Sequence, residues 1–164
     1  MAVQNGMMIV ALFLSTFENK IDRKGRLSVP APFRASLDAN HAPLYLYKSL
    51  LVPCIEGCGP ERINQIIDAI DMMDSLSEEA ATLTTMLSSA QEMRIDSEGR
   101  ISLPADFIDY AELTQTALFA GIGRSFQIWH PEKFRERDAT ARKNAKLNGL
   151  PKLTLNAPSS AGGS

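Results

Sequence analysis

The chain has 164 residues, 45% of them hydrophobic, which suits one compact domain or two small intertwined ones and is too apolar for a disordered chain. No apolar run approaches the roughly 20 residues that a membrane-spanning helix needs. The net charge of −2 would argue against nucleic acid only if the charge were evenly spread, and it is strongly segregated.

Residues 1–11 are expected to be an N-terminal extension. The longest apolar run, Met7–Leu14, lacks the preceding basic residues of a secretory leader, so it is expected to enter a buried strand of a cytoplasmic protein. Leu14–Ile21 and Leu27–Val29 then read as two strands of a local hairpin around Asp-Arg-Lys-Gly-Arg. In that loop Asp22 can accept from backbone N–H groups ahead of it, and Gly25 can take positive φ without steric cost. Pro30 ends the second strand because it cannot donate to a ladder, and a short helix over Pro32–Leu37 should follow. Pro43–Tyr47 and Leu51–Ile55 are expected to pair, with Cys54 in a strand and Cys58 in the next turn.

Behind Pro60, Ile63, Ile66, Ile67, Ile70 and Met73 recur at helical spacing, and Leu83, Met86, Leu87 and Ala90 mark a second helix. Ser75 with Glu78 is its expected capping box. Strands over Glu92–Ile95 and Arg100–Leu103, a helix over Ala105–Tyr110, and strands over Ala117–Ile122 and Ser125–Trp129 come next. A basic helix begins near Pro131, and residues 151–164 are too small and polar to pack, so a disordered tail is expected.

A duplication organises these elements. Ile21-Asp-Arg-Lys-Gly-Arg-Leu-Ser-Val-Pro-Ala-Pro-Phe33 aligns without gaps on Ile95-Asp-Ser-Glu-Gly-Arg-Ile-Ser-Leu-Pro-Ala-Asp-Phe107, with eight of thirteen positions identical at an offset of 74. The same offset pairs Leu44-Tyr45 with Leu118-Phe119, and Pro60-Glu61-Arg62-Ile63 resembles Pro131-Glu132-Lys133-Phe134. Two copies suggest a mixed β/α, mainly β, pseudo-two-fold domain whose tandem ββα-ββ halves bury each other's apolar faces, with a helical insert and a C-terminal helix. The expected boundaries are 12–91 for the first half with its insert and 92–150 for the second.

The segment Phe17-Glu-Asn-Lys-Ile-Asp-Arg-Lys-Gly-Arg-Leu-Ser-Val-Pro30 resembles the first signature of the MraZ family. Asp96-Ser-Glu-Gly-Arg-Ile-Ser-Leu-Pro104 with Phe126-Gln-Ile-Trp129 resembles its second. The resemblance spans roughly Leu12–Leu147. It implies a double-split β-barrel related to AbrB-like DNA-binding domains. It also implies a cytoplasmic, nucleoid-associated regulator that assembles into rings. Such a regulator would bind short direct repeats in double-stranded DNA ahead of the cell-division and cell-wall gene cluster containing its own gene.

The charge pattern gives this implication a location. Residues 18–35 hold five basic side chains against two acidic, 56–98 hold two against ten, and 131–153 hold seven against three. Phosphate binding needs Lys and Arg, so Lys20, Arg23, Lys24, Arg26 and Arg34 are the expected DNA contacts, joined by Arg100 in the second copy. That copy has Ser97-Glu98 where the first has Arg23-Lys24, so it is expected to contribute less. Arg26 and Arg100 each admit two roles: DNA contact, or an ion pair with Asp22 or Asp96 that holds the turn. Asp22, Gly25, Asp96 and Gly99 are expected to be structural, and Trp129, Phe126 and Phe119 to lie in the core or at a subunit interface.

Nothing in the sequence supports an enzyme, a cofactor or a metal. There is no phosphate-cradling glycine loop, His41 and His130 lack metal-ligand spacing, and Cys54 and Cys58 read as reduced thiols. The competing readings are an oligomeric scaffold working through its acidic insert and an antitoxin-like partner protein.

Overall fold

The computed structural model describes residues 11–38 and 42–155, which form eight strands and five helices. The expectations for residues 1–10, for His41 and for the end of the tail from residue 156 fall outside the described residues; residues 151–155 are exposed and belong to no element.

The strands are β1 (Thr16–Lys20), β2 (Arg26–Ser28), β3 (Leu44–Lys48), β4 (Ile55–Cys58), β5 (Gln91–Met93), β6 (Arg100–Ser102), β7 (Thr116–Gly121) and β8 (Phe126–Trp129). Six of them form one sheet in the order β1-β7-β8-β4-β3-β5, and β2 pairs with β6 in a separate ribbon. Exchanging the two copies maps β1 to β5, β3 to β7 and β4 to β8, which reverses the sheet order onto itself. The pseudo-two-fold therefore passes between β4 and β8 and through the centre of the ribbon, where Leu27 faces Ile101.

The local hairpin expected across Asp22–Gly25 is replaced by a split. The turn itself closes, with Asp22 N–H donating to the Arg26 carbonyl at 3.0 Å and a single bridge joining Ile21 to Leu27. Beyond that bridge β1 leaves to pair with β7, and β2 leaves to pair with β6. The second copy repeats the manoeuvre: Asp96 N–H donates to the Arg100 carbonyl at 2.8 Å, β5 goes to β3 and β6 to β2. Each half thus completes the other's sheet, which is the double-split arrangement.

Between sheet and ribbon lies the main core. Alternation along β7 sends Ala117 and Phe119 inward and Leu118 and Ala120 to the other face. Leu27, Val29, Ile101 and Leu103 close the core from the ribbon. Helices α1 (Ala31–Asp38) and α4 (Ala105–Tyr110) add Phe33, Leu37 and Phe107, all fully or almost fully buried. Phe33 sits at the centre of an aromatic cluster, with ring centroids 5.2–6.1 Å from those of Phe13, Phe17, Phe119 and Phe126.

The outer face of the sheet carries the remaining helices. Over one half lie α2 (Pro60–Asp71) and α3 (Glu78–Ser89), where Ile63 packs with Tyr47 and Cys58. Over the other lies α5 (Pro131–Asn148), whose Phe134 packs against a cluster holding Trp129, Leu118 and Cys54. Glu56 and Gln127 face each other across β4 and β8 in the polar strip between them.

Three expected details change. The cap of α3 is Ser77, whose hydroxyl accepts from Ala80 N–H at 3.2 Å, and Ser75 lies in the turn before it. Strand β4 starts at Ile55 rather than Leu51, because residues 49–54 form a turn in which Ser49 N–H donates to the Cys54 carbonyl at 3.0 Å. Cys54 therefore ends a turn and Cys58 ends a strand, the reverse of the expectation. Replacing Phe33 with Ala should destabilise the chain by about 3–5 kcal/mol in chemical denaturation, and Phe33→Leu by clearly less, because the larger cavity opens where four rings meet.

Candidate nucleic-acid interface

The two Asp-x-x-Gly-Arg turns have matching geometry. In the first, Asp22 Oδ1 accepts from the N–H groups of Lys24 and Arg26, both at 2.9 Å, while Oδ2 accepts from Arg26 Nε at 2.5 Å. In the second, Asp96 Oδ1 accepts from Glu98 and Arg100 N–H at 2.9 Å, and Oδ2 from Arg100 Nε at 3.0 Å. These backbone bonds, with the neighbouring guanidinium, hold both carboxyls below the usual carboxylate range. Gly25 and Gly99 take φ of +77° and +79°, the left-handed region that closes each turn.

The ribbon stitches the turns together. Leu103 N–H donates to the Gly25 carbonyl and Val29 N–H to the Gly99 carbonyl, both at 2.9 Å. The turns therefore stand at opposite ends of one ribbon, about 14 Å apart at the rise of an antiparallel strand. Because Leu27 and Ile101 point into the core, the flanking pairs Arg26–Ser102 and Ser28–Arg100 lie on the outward face. Both arginines thus form the expected ion pair with their aspartate and still present part of the guanidinium to solvent.

The first turn is the more electropositive. Arg23 and Lys24 are exposed and make no ion pair among the described residues. In the second turn Glu98 Oε2 lies 2.8 Å from Arg100 Nη2, so Arg100 is shared between two carboxylates.

Two of the expected residues sit elsewhere. Lys20 lies on the same face of β1 as Glu18, which pairs with Arg135 at 2.8 Å, and so on the opposite side of that strand from the ribbon. Arg34, from α1 of the first copy, reaches across to the second turn: a Cβ on Gly99 would lie 2.7 Å from its guanidinium, and its Nε donates to the Val29 carbonyl at 3.1 Å. The residue at its offset position, Ile108, packs on Gly25. Arg94, the partner of Lys20 at the offset of 74, is exposed at the end of β5 beside the second turn.

The other candidates are structural. The His130 ring caps α5, its Nδ1 accepting from Glu132 N–H at 3.2 Å. Burial pushes the Cys54 and Cys58 thiols up to about 12, which keeps them protonated. Phe119, Phe126 and Trp129 lie within the chain's own core. No group of three or more potential ligands among the described residues could hold a metal, and no helix among them is long and apolar enough to cross a membrane.

Comparison with known proteins places this geometry in a family. The chain is 41% identical over 139 residues to the transcriptional regulator MraZ of Pelagibacter ubique, covering 84% of this chain and 90% of that protein. It belongs to the MraZ family. The MraZ regulator of Gluconobacter oxydans is 38% identical over 91% of this chain and 94% of its own length, and that of Rhodospirillum rubrum is 40% identical over 73% and 79%. The family profile described as MraZ protein, putative antitoxin-like, matches residues 86–148. MraZ is a family of transcriptional regulators and not of enzymes.

The lowered carboxyl values give a pH prediction with a definite sign. A carboxylate depressed in the folded state stabilises it fully above its unfolded value, roughly pH 4, and that contribution is lost as pH falls through the folded value. The Asp22→Asn/Asp96→Asn double variant should therefore lose less stability than the native chain between about pH 4 and pH 2 in urea titrations.

Proposed function

We propose that this MraZ-family chain is a sequence-specific DNA-binding transcriptional regulator, acting as a repressor on the nucleoid in the cytoplasm. Its targets in this reading are short direct repeats ahead of the cell-division and cell-wall gene cluster that includes its own gene. Residues 12–91 and 92–150 are two copies of one DNA-binding unit, and several subunits join in a ring. The regulators named above support the activity, and the family resemblance supports the targets and the ring.

The observation that carries the site is that Arg23 and Lys24, which make no ion pair among the described residues, stand beside Arg26, which lies on the outward face of the ribbon. A two-stranded ribbon fits the major groove, where an arginine fork reads guanine and serine hydroxyls reach base edges or phosphates. Arg26 and Ser102, paired across the ribbon, supply those groups at one end; Arg100 and Ser28 repeat them at the other end, with Glu98 weakening that contact. Lys20 and Arg34 serve as more distant electrostatic contributors. A few phosphate contacts per subunit give weak binding, and a ring engaging tandem repeats raises it through effective concentration.

The test is a fluorescence-anisotropy titration over a range of salt, using DNA from upstream of the protein's own gene. Arg26→Ala should abolish specific binding with an unchanged circular dichroism spectrum. Arg23→Ala and Lys24→Ala should each flatten the dependence of log affinity on log salt by about one. Native-like titrations in all three variants would remove the first turn from the interface. The family description as antitoxin-like supports a second reading, in which a small toxic protein co-purifies with the chain and occupies the same surface.

A further inference from the structure

Exchanging the two copies leaves the outward face of the ribbon unchanged. Arg26 faces Ser102 and Arg100 faces Ser28, so the offset of 74 turns one pair into the other. A DNA duplex has local dyads of its own, and its phosphates carry no direction. The ribbon residues alone would therefore let the chain sit on DNA in either of two opposite orientations. Only what the copies do not share can choose between them.

The turns differ in charge. Residues 22–26 carry three basic side chains and one acidic, whereas residues 96–100 carry one basic and two acidic. Arg34, lying against Gly99, brings the second end only to neutrality. The two arginines are also held differently. Arg26 meets Asp22 through Nε, and its Nη1 and Nη2 make no ion pair among the described residues. Arg100 meets Asp96 through Nε, while Glu98 Oε2 lies 2.8 Å from its Nη2. A two-pronged contact with guanine O6 and N7 needs two neighbouring N–H groups of one guanidinium. Arg26 has such a pair to offer, and Arg100 has it only once Glu98 lets go.

We propose that Glu98 sets the direction in which a subunit lies on DNA. Arg23, Lys24 and Arg26 take the guanine-bearing end of an asymmetric site. Glu98 repels phosphate and holds Arg100, which keeps the second turn from competing for that end. A chain of two nearly equal halves thus reads a site with two unequal ones, and a like-charged approach penalises the reversed pose.

This polarity rests on the DNA-binding reading above and is tested separately from it. An iron chelate that releases hydroxyl radicals is attached at Lys20→Cys or at Arg94→Cys, exposed positions just ahead of the two turns. Cys54 and Cys58 are fully buried and escape the label. On DNA from upstream of the protein's own gene, the two labelled chains should cut opposite flanks of each protected segment, with at least about a tenfold preference. Glu98→Gln should lower that preference, and Ser97→Arg/Glu98→Lys should bring the two flanks within about threefold of each other. Exchanging the turn residues completely, as Arg23→Ser/Lys24→Glu/Ser97→Arg/Glu98→Lys, should swap the flanks with an unchanged circular dichroism spectrum. A purely structural role for these residues would not produce that reversal. Equal cutting of both flanks by a bound native chain, an unaltered preference in Glu98→Gln, or native polarity in the exchanged chain would overturn the proposal and leave the DNA reading standing. Failure of the native chain to bind the DNA at any salt would overturn both.

Discussion

Two reciprocal backbone hydrogen bonds, Val29 N–H to the Gly99 carbonyl and Leu103 N–H to the Gly25 carbonyl, hold the two copies of the duplicated segment against each other. Each ties the end of one ribbon strand to the turn that opens the other. Both donors belong to buried residues, so leaving either unpaired would strand a polar group against the core. The bonds also set the turn chemistry. The carbonyl of Leu103 would lie 3.1 Å from a Cβ on Gly25, and the Arg34 guanidinium closer still to one on Gly99. Positive φ disfavours a side chain at both glycines, and at Gly25 the Leu103 carbonyl adds a tight backbone contact. Leu27 and Ile101, meeting at the ribbon centre, are thereby placed over the aromatic cluster around Phe33. The core, the turns and the presentation of Arg26 and Arg100 all follow from this one stitch.

On that symmetric frame the copies have diverged in charge and not in shape. Ser97-Glu98 replaces Arg23-Lys24, so one turn keeps two cations that make no ion pair among the described residues, while the other neutralises its own arginine. Arg34 replaces the apolar neighbour that Ile108 provides at the equivalent position, laying a cation over the turn that has the extra carboxylate. The outer helices differ more strongly, acidic in the first copy and basic in the second. Such divergence costs the fold little because the changed side chains are exposed, and surface charges contribute little to stability. It gives the molecule a direction, with one turn suited to phosphate and two unlike ends.

The duplication made the pseudo-two-fold, the paired turns and most elements legible in the sequence, because identical residues at a fixed offset must solve the same local problem. Strand pairing was not legible. Periodicity reports which side chains of Leu14–Ile21 and Leu27–Val29 face the core, but not which strand lies beside them. A tight Asp-Arg-Lys-Gly turn suggests a local partner, whereas β1 pairs with β7 and β2 with β6, partners far away in sequence. The early start expected for β4 has a similar cause, since Leu50 and Leu51 look like strand residues and are exposed in a turn. Ser75 and Ser77 offer equivalent capping chemistry, and only the geometry around Asp74 selects Ser77. In the candidate site, Arg23, Lys24 and Arg26 were legible from local charge. The reach of Arg34 to Gly99 depends on a contact between residues far apart in sequence, which no local pattern carries.

The two copies form one cooperative unit through the ribbon, and native-state hydrogen exchange tests that most directly. The amides of Val29 and Leu103 should exchange only through global unfolding, with the same opening free energy and the same denaturant dependence as amides in β4 and β8. Exchange of either amide at a distinctly lower free energy, with the rest of the sheet still protected, would mean that the ribbon opens on its own and that the stitch is not what holds the fold.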